Sequence, residues 1–542
     1  MYLRVESGTH IKTPFVPVIT QEGDPAAVQY GVPTFRPVTS SGSQGTLSIA
    51  SSWLKHCVEK HDCHKSLFVP RGKKCPDSDL SEVVDERSTI FPTRLLDLQA
   101  FNGGSLDIRL VEKPASGSLY ATLSHCWGVN CDARYQATKS TLPALRHRMG
   151  YAELPKTYRD AISVCRSLGI RYVWIDSLCI IQDSKEDWAS EAAKMADVYS
   201  NSHLTISADW STNSEGGCFR LIDRPQGIHP EHAIRISSVL SNGERSCLHF
   251  YRYCSTPPGL FNYTHLASRA WAYQERILSR RNLHFTQHQL FWECRKGFAS
   301  EDMVPDCSEP SPLTPSYLLN IRATKSAEQH LQSWCYQIIS HYSDAKITFP
   351  TDRLPAVSAL AKHFADELCS PYLAGLWLEG LWYTLSWYRR ERQSTERPKN
   401  YIAPSWSWAA INAGVFWLMV PSGDIVKRVE IIDAMVDLVG DPFGQVSHGW
   451  IRVTGLLVEN VSPLTKFPKA VLDLILPDYP LEPPPEKVHC LLLGERTFPY
   501  IRNYYLLLVI SSKDLNVYER YGMGTTEFGT FEHWQEKTIT II

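Results

Sequence analysis

Between residues 119 and 208 the sequence alternates short apolar runs with amphipathic segments, and this pattern constrains the fold more than any other feature. The apolar runs, at residues 119–124, 172–175 and 204–207, have the length and composition of buried strands. The segments between them carry apolar residues at helical spacing. Strands and helices that alternate in this way are typical of a parallel α/β sheet.

Two helices are predicted between these strands. Thr157 is expected to cap the first helix, and Gly169 is expected to end it. Ser184 is expected to cap the second helix, with Asp187 three residues further on. The apolar stripe of the second helix consists of Trp188, Ala192, Met195 and Tyr199.

Polar and aromatic residues follow the first two strands directly. In parallel α/β sheets, ligands bind beyond the carboxyl ends of the strands. Ser124, His125, Trp127 and Gly128 follow one strand, and Asp176 follows the next. A glycine lets the backbone approach a ligand, an indole could stack on a flat ring, and a carboxylate could hold a ribose hydroxyl. These five residues are the predicted substrate-binding residues. The structural alternative is a tight turn with a core tryptophan and a carboxylate that caps a turn.

Charge and apolar patterning exclude several classes of protein. The chain has 55 Lys and Arg against 57 Asp and Glu, so it offers no global basic field for nucleic acid. Its longest apolar stretch, residues 409–420, is shorter than the ~20 residues of a membrane span. Its 15 cysteines are scattered rather than paired at short spacings. With no signal-peptide pattern at the N-terminus, a soluble cytoplasmic protein with reduced thiols is expected.

Five possible metal ligands lie within 19 residues of one another. They are Cys57, His61, Cys63, His64 and Cys75. A zinc site needs four converging side chains, and its cysteines are commonly two to four residues apart. Five residues separate Cys57 from Cys63, so the spacing favours a short helix with a buried cysteine. No metal and no cofactor are predicted, and zinc binding stays open as the alternative.

The domain organisation follows composition and patterning. Residues 1–50 are rich in Pro, Ser, Thr and Gly and are expected to form a loosely ordered leader. A flanking segment is predicted at 51–118, the α/β domain at 119–275, and a mixed, β-rich region with Pro-rich loops at 276–542. A group of six tryptophans in the last region predicts either an aromatic core or a binding surface. They are Trp377, Trp382, Trp387, Trp406, Trp408 and Trp417.

Five sequence blocks within and around the α/β domain carry a family resemblance. They are YATLSHCWG (120–128), LPKTYRDAI (154–162), LGIRYVWIDSLCIIQD (168–183), DWASEAAKMADVY (187–199) and RAWAYQERILSR (269–280). Together and in this order they resemble the heterokaryon incompatibility (HET) domain of filamentous fungi. The resemblance implies a role in non-self recognition, in which such domains trigger programmed cell death when incompatible hyphae fuse. It also implies an incompatibility partner protein and activation through self-association.

The resemblance extends to a more distant relationship with Toll/interleukin-1 receptor (TIR) domains, and so implies a flavodoxin-like parallel sheet. Several members of that wider group cleave NAD with a glutamate carried by a helix. Glu191 falls on the matching helix, at the edge of its apolar stripe, where a carboxylate is partly desolvated and needs a partner. A carboxylate suits a reaction that passes through an oxocarbenium-like state. The resemblance therefore predicts Glu191 as the catalytic residue and NAD as the substrate.

Two alternatives to NAD cleavage stay open at this point. Glu191 could be a structural glutamate tied to an arginine or to a backbone group across the domain. The whole domain could be a non-enzymatic scaffold that recruits death partners. The position of the Glu191 carboxylate relative to Ser124 and Asp176 separates these interpretations.

Overall fold

The computed structural model describes residues 2–3, 16–21, 23–32, 34–35, 40–64, 91–112, 114, 117–128, 133–220, 233–251, 264–287, 289–301, 326–390, 398, 400–419, 425–461, 474–478, 485, 487–496, 502–511, 516–526 and 534–542. The chain forms two compact units. The first consists of Met1–Leu67, Val83–Ser268 and Glu275–Leu319. The second consists of Phe68–Glu82, Arg269–Gln274 and Asn320–Ile542. None of the described helices is long and apolar enough to cross a membrane.

The first unit is mixed α/β. Its helices are α1 (Pro25–Tyr30), α2 (Gln44–Lys60), α3 (Leu142–His147), α4 (Lys156–Ser167), α5 (Asp176–Cys179), α6 (Lys185–Asn201) and α7 (Ala270–Leu278), the last of which begins in the second unit. Its strands are β1 (Tyr2–Leu3), β2 (Val16–Gln21), β3 (Thr34–Phe35), β4 (Arg94–Asp97), β5 (Arg109–Glu112), β6 (Tyr120–Ser124), β7 (Tyr172–Ile175), β8 (Leu204–Ser207), β9 (Ala233–Val239), β10 (Arg245–Tyr251), β11 (Arg281–Phe285), β12 (Leu290–Cys294) and β13 (Gly297–Ser300).

The central sheet of the first unit confirms the predicted parallel arrangement. Its described strands run in the order β13-β12-β11-β8-β6-β7-β4-β5. Strand β6 pairs in parallel with both β7 and β8, and β8 pairs in parallel with β11. All residues of β6 and β8 are buried, as is usual for parallel strands covered on both faces. From β6 the chain adds β7 on one side and then crosses to add β8 on the other.

Both flanks of the predicted domain contribute strands to this sheet. Strands β4 and β5, from the predicted flanking segment, extend it beyond β7 through antiparallel pairing. Strand β11 extends it beyond β8, and β12 and β13 follow as antiparallel neighbours. The sheet therefore runs past the predicted boundary between 275 and 276. Sequence patterning could not place this boundary because the partner of β11 lies about 75 residues earlier in the chain.

Part of the predicted leader is regular structure, which corrects that expectation for the described residues. Strand β2 pairs antiparallel with β10, more than two hundred residues away in the chain. Helix α1 is capped by Asp24, whose side chain accepts a hydrogen bond from the Ala26 N–H at 2.8 Å. Helix α2 begins after Ser43, whose side chain caps it in the same way. The composition of the segment did not predict β2 because this strand is stabilised by a partner that is distant in the chain.

The helix caps on either side of β7 follow the prediction only in part. Ser184 caps α6, and its side chain accepts from the Asp187 N–H, as predicted. Helix α4 instead begins after Pro155, so Thr157 is a helical residue and the predicted cap is wrong. The Thr157 hydroxyl accepts a hydrogen bond from the Gly217 N–H at 3.0 Å. It therefore stabilises the loop after β8 rather than the start of its own helix.

The second unit confirms the predicted β-rich region. Its α-helices are α8 (Ala327–Gln332), α9 (Ser340–Tyr342), α10 (Ser358–Leu368) and α11 (Leu381–Thr384), with a π-helix at Ser333–Ile339. Its strands are β14 (Tyr372–Leu373), β15 (Leu376–Trp377), β16 (Trp387–Arg389), β17 (Val415–Trp417), β18 (Ile425–Lys427), β19 (Val429–Val439), β20 (Gln445–Val461), β21 (Leu474–Pro477), β22 (Val488–Arg496), β23 (Arg502–Ile510), β24 (Val517–Thr526) and β25 (Gln535–Ile541). The largest sheet has the order β18-β22-β23-β24-β25-β20-β19.

The tryptophan group of the second unit is an aromatic core rather than a binding surface. All of its members except the half-buried Trp382 are buried. Indole N–H groups of Trp334 and Trp408 both donate to the Gly375 carbonyl at 2.9 Å. A Cβ at Gly375 would lie 2.5 Å from the Trp408 indole nitrogen, so only glycine fits there. The rings of Trp334 and Trp408 are thus buried while their indole N–H groups remain hydrogen-bonded.

Cysteine usage departs from the prediction at one position. The structure describes Cys369 as disulfide-bonded, so the expectation that all thiols are reduced is wrong there. The other cysteines within the described ranges are free thiols.

A buried ion pair joins the strands of the second unit to its tryptophan core. Arg520 and Asp478 are both fully buried, and the Arg520 Nε donates to Asp478 at 2.7 Å. The same guanidinium donates to the backbone carbonyls of Leu385 and Trp387 and lies 3.4 Å from the centre of the Trp387 ring. Every side of the charge is therefore matched by an acceptor or by an aromatic face.

Replacement of this arginine should destabilise the second unit strongly. We expect Arg520→Met to lower the free energy of unfolding by about 3–5 kcal/mol, because it leaves Asp478 buried without its cation. Arg428→Met is the matched control, since Arg428 pairs with Glu495 at the surface and its loss should cost less than about 1 kcal/mol. Urea denaturation followed by tryptophan fluorescence measures both, and equal losses would contradict the assignment.

Candidate functional site

The strand order of the central sheet reverses between β6 and β8, next to their carboxyl ends. In open α/β sheets such a reversal is where ligands bind. Ser124 ends β6 and Ser207 ends β8, and the two residues are paired in register. The Ala208 N–H donates to the Ser124 carbonyl at 3.0 Å, so the chains leave the sheet side by side. This edge of the sheet is the candidate functional site.

Ser124 meets a carboxylate from helix α7 at this edge. Its hydroxyl donates a hydrogen bond to Oε2 of Glu275, and both side chains are buried. The Ser279 hydroxyl donates to the Glu275 carbonyl at 2.7 Å and holds the helix end in place. A serine from the first family block and a glutamate from the fifth are therefore brought together across 151 residues.

A buried charge network lies on the β8 side of the same edge. His284 Nδ1 is 2.9 Å from Asp209, and its Nε2 is 3.3 Å from Glu293. Arg276 donates two hydrogen bonds to Glu293, at 2.8 and 2.9 Å. Burial opposes ionisation of Glu293, but the charge of Arg276 and the bonds from both neighbours lower its pKa to about 2. Burial disfavours the imidazolium of His284, yet the two carboxylates raise its pKa.

Three of the predicted substrate-binding residues form a second network at the ends of β6 and β7. The Trp127 indole N–H lies 3.0 and 2.9 Å from the two carboxylate oxygens of Asp176. The Ser177 N–H donates to the same carboxylate at 2.8 Å. His125 Nδ1 is 4.0 Å from Asp176, and its ring packs edge-on against Tyr158. Asp176 is thus a turn-capping carboxylate with about a fifth of its side chain exposed.

The other two predicted residues have different surroundings. The described side-chain hydrogen bond of Ser124 is made to Glu275 and not to Asp176. Gly128 has a φ of 87°, which favours glycine, and a Cβ there would lie 2.5 Å from the Cβ of Asn213. The close approach that Gly128 permits is therefore made by the loop after β8. Ligand binding by these five residues remains a prediction.

Glu191 lies away from both networks. It is 2% exposed, and its Oε1 accepts from the Thr93 hydroxyl at 2.7 Å and from Lys194 at 2.9 Å. None of its described hydrogen bonds reaches Ser124 or Asp176. Its Oε2 is buried and has no hydrogen-bond partner among the described residues. The carboxylate is thus enclosed and paired to a lysine, an environment close to the predicted structural alternative, and its catalytic role remains a prediction.

The central residues of the buried charge network were not predicted as site residues. Asp209 comes just after β8, as Asp176 follows β7, so the same strand-end rule could have identified it. His284 and Glu293 are ionisable residues within apolar strands, which is an unusual pattern and a usable signal. Glu275 and Arg276 stand in a recognised family block. The contacts of Glu275 with Ser124 and of His284 with Asp209 join segments 151 and 75 residues apart, and no pattern in the sequence reports such contacts.

A cavity among the described residues lies elsewhere, in the second unit. It has a volume of about 560 Å³ and is lined by residues of α8, α11 and β19, including Glu328, Trp382 and Asp433. None of the predicted site residues lines it.

The buried network should give the first unit a characteristic dependence of stability on pH. The pKa of His284 is raised above the usual 6.5, so the folded state binds more protons than the unfolded state above that pH. Stability from His284 is therefore full below pH 6.5 and falls, by at most about 1.4 kcal/mol per pH unit, as pH rises through the raised pKa. His284→Gln should remove this fall, as measured by thermal unfolding at a series of pH values.

His203 supplies a control because its pKa is shifted in the opposite direction to that of His284. Burial, followed by the charges of Arg281 and Arg280, lowers its pKa to about 4. The unfolded state then binds more protons between pH 4 and 6.5, so stability rises with pH in that window. His203→Gln should flatten the acidic window and leave the alkaline fall intact. If His284→Gln leaves the alkaline fall unchanged, the raised pKa of His284 is refuted.

Comparison with known proteins finds a family model that matches this region. Residues 120–275 match the family model described as heterokaryon incompatibility protein (HET). None of the curated proteins and none of the solved structures compared with the chain matches it. The match begins at β6, covers β7 and β8, and ends at Glu275, so it spans the residues that form the two strand ends. The similarity to the heterokaryon incompatibility protein family is therefore confined to residues 120–275, which are less than a third of the chain.

Proposed function

We propose that this protein is a cytoplasmic effector of fungal non-self recognition, whose HET domain triggers programmed cell death. The observation that carries the proposal is the family match at residues 120–275, which includes the carboxyl ends of β6 and β8. An effector that was active at all times would kill its host. Activation therefore requires self-association, driven by contact with an incompatibility partner protein.

The contacts within the domain favour a non-enzymatic mode of action. Glu191 is enclosed and salt-bridged to Lys194. Both oxygens of Asp176 accept hydrogen bonds from Trp127, and Glu275 accepts one from Ser124. Each of these carboxylates is held by a neighbouring side chain, which favours a structural role for it. In this mode the domain recruits death partners through its surface.

NAD cleavage is the second candidate, and the Ser124–Glu275 pair supports it. The parallel strands have the order β7-β6-β8-β11, which is the order of a flavodoxin-like sheet and suits a relationship with TIR domains. A helix-borne carboxylate, Glu275, lies at the reversal point of that sheet. In such a reaction the bond between nicotinamide and ribose breaks, a carboxylate stabilises the oxocarbenium-like state, and water supplies the hydroxyl of the ADP-ribose product.

Cell death is tested by inducible expression of the full chain in a filamentous fungus. Fused to a chemically induced dimerisation module, the wild-type protein should kill cells only when the dimeriser is added. Ser124→Ala should reduce killing, because it removes the donor that orients Glu275 at the site. Arg428→Met, a surface change in the second unit, should kill as the wild type does. Full survival of dimerised cells that express the wild-type protein at a confirmed level would contradict the proposal.

The two modes are separated by NAD loss in vitro. The purified full chain, dimerised and undimerised, is incubated with NAD and compared with Glu191→Gln and Glu275→Gln. The scaffold mode predicts no NAD loss by any of them, together with killing by the Glu191→Gln protein. The enzymatic mode predicts a loss of activity of at least about 100-fold in the variant that lacks the catalytic carboxylate. Thermal unfolding of each variant shows whether the fold is retained.

A further inference from the structure

Four potential metal ligands converge next to β12 of the central sheet. They are Cys57, His61, Cys63 and Cys294, and their ligand atoms all lie within 4.8 Å of one another. Nδ1 of His61 is 3.4 Å from Sγ of Cys294. The three cysteines are at most 2% exposed, and His61 is half-buried. A group of three thiols and one imidazole is thus enclosed by the protein.

Local backbone geometry directs the first three ligands to one place. Cys57 lies in the last turn of α2, and His61, four residues later, is the C-cap, so the two lie on one side of the helix end. At His61 the backbone becomes extended, with φ of −109° and ψ of 145°. The chain therefore leaves the helix and returns Cys63 towards the same point. Cys294, the last residue of β12, completes the group.

We propose that these four residues bind one zinc ion as a structural Cys₃His site. Tetrahedral zinc has bonds of about 2.3 Å to sulfur and 2.0–2.1 Å to nitrogen, which places neighbouring ligand atoms about 3.5–3.8 Å apart. The group is already close to this spacing, so small side-chain rotations suffice to close it. All four positions are filled by protein ligands, which is the arrangement of structural rather than catalytic zinc.

A buried arginine next to the thiols supports metal binding independently. Arg281 is 2% exposed, and its Nε lies 3.2 Å from Sγ of Cys57. A buried guanidinium needs an anionic partner, and a neutral thiol is not one. Three thiolates and one Zn²⁺ carry one net negative charge, which Arg281 neutralises across a hydrogen bond to sulfur. The arginine thus meets the charge that the occupied site would carry.

Zinc at this place would join elements that are remote in sequence. His61 and Cys294 are 233 residues apart, so the ion fixes the end of α2 to β12. Glu293, the neighbour of Cys294, holds Arg276 and His284 in the buried charge network. The metal therefore anchors the strand that carries this network.

The spacing of the candidate ligands concealed the site in the sequence. His61 lies between Cys57 and Cys63 and contributes a ligand, so the five-residue gap does not count against zinc. His64, also considered there, is exposed and outside the group, and Cys75 lies outside the described residues. The fourth ligand, Cys294, is too far along the chain to be associated with the others by pattern.

The test is the metal content of the full chain, purified without chelators and with a tag free of histidine. Mass spectrometry of the elements should find about one zinc per chain in the wild type. Cys294→Ala should lower the zinc content by more than about tenfold, and Arg281→Met should weaken zinc affinity by about 10–100-fold. Cys165→Ala is the matched control, because Cys165 is a fully buried thiol of α4 outside the group. It should keep its zinc.

A cobalt experiment on the wild type protects the test against variants that fail to fold. Exchange of the bound metal for Co²⁺ should give the ligand-field bands of a tetrahedral ion and a thiolate-to-cobalt charge-transfer band. Wild-type protein that binds neither ion when metal is supplied would overturn the proposal. So would a disulfide between two of the three cysteines in the reduced, metal-supplemented protein, or full zinc retention by Cys294→Ala. None of these results depends on cell death or NAD cleavage.

Discussion

The parallel pairing of β6 with both β7 and β8 determines where the candidate residues at the ends of these strands lie. Because the chain adds β7 on one side of β6 and β8 on the other, their carboxyl ends emerge at one edge. The Thr122 and Thr205 hydroxyls, 2.7 Å apart within the buried sheet, also join the two central strands. The motifs that follow each strand are thereby brought to the same edge, where each meets a partner from a different part of the chain.

In both units, buried charged side chains are stabilised because each has several hydrogen-bond partners. In the first unit Glu293 is shared by Arg276 and His284, and in the second Arg520 bonds to Asp478 and to two backbone carbonyls. An ion removed from water costs several kcal/mol unless such bonds replace its hydration. The residues nearest the candidate site are therefore also core residues. If a substitution of one of these residues lowers activity, the stability of the variant has to be measured as well, because unfolding alone would have the same effect.

Much of the fold could be predicted because it depends on local patterns. The strands at β6, β7 and β8 and the cap of α6 at Ser184 follow from apolar runs and capping residues within a few positions. Strands β2 and β11, in contrast, pair with strands that are remote in the chain, and a local pattern does not reveal such pairing. The same distinction holds for the site. Asp176 was identified by its place after a strand, whereas the partner of Ser124 lies 151 residues away and no periodicity reveals it.

Solvent access, rather than residue type, decides which parts of the domain an external molecule meets first. Ser124, His125 and Glu191 are buried, while Trp127 and Asp176 are half-buried and Gly128 is exposed. A substrate would have to displace Thr93 or Lys194 to reach Glu191. It would meet the Trp127–Asp176 pair without such a rearrangement. The Trp127–Asp176 pair is therefore more accessible than Glu191, which an external molecule could reach only if the α6 side of the domain opened.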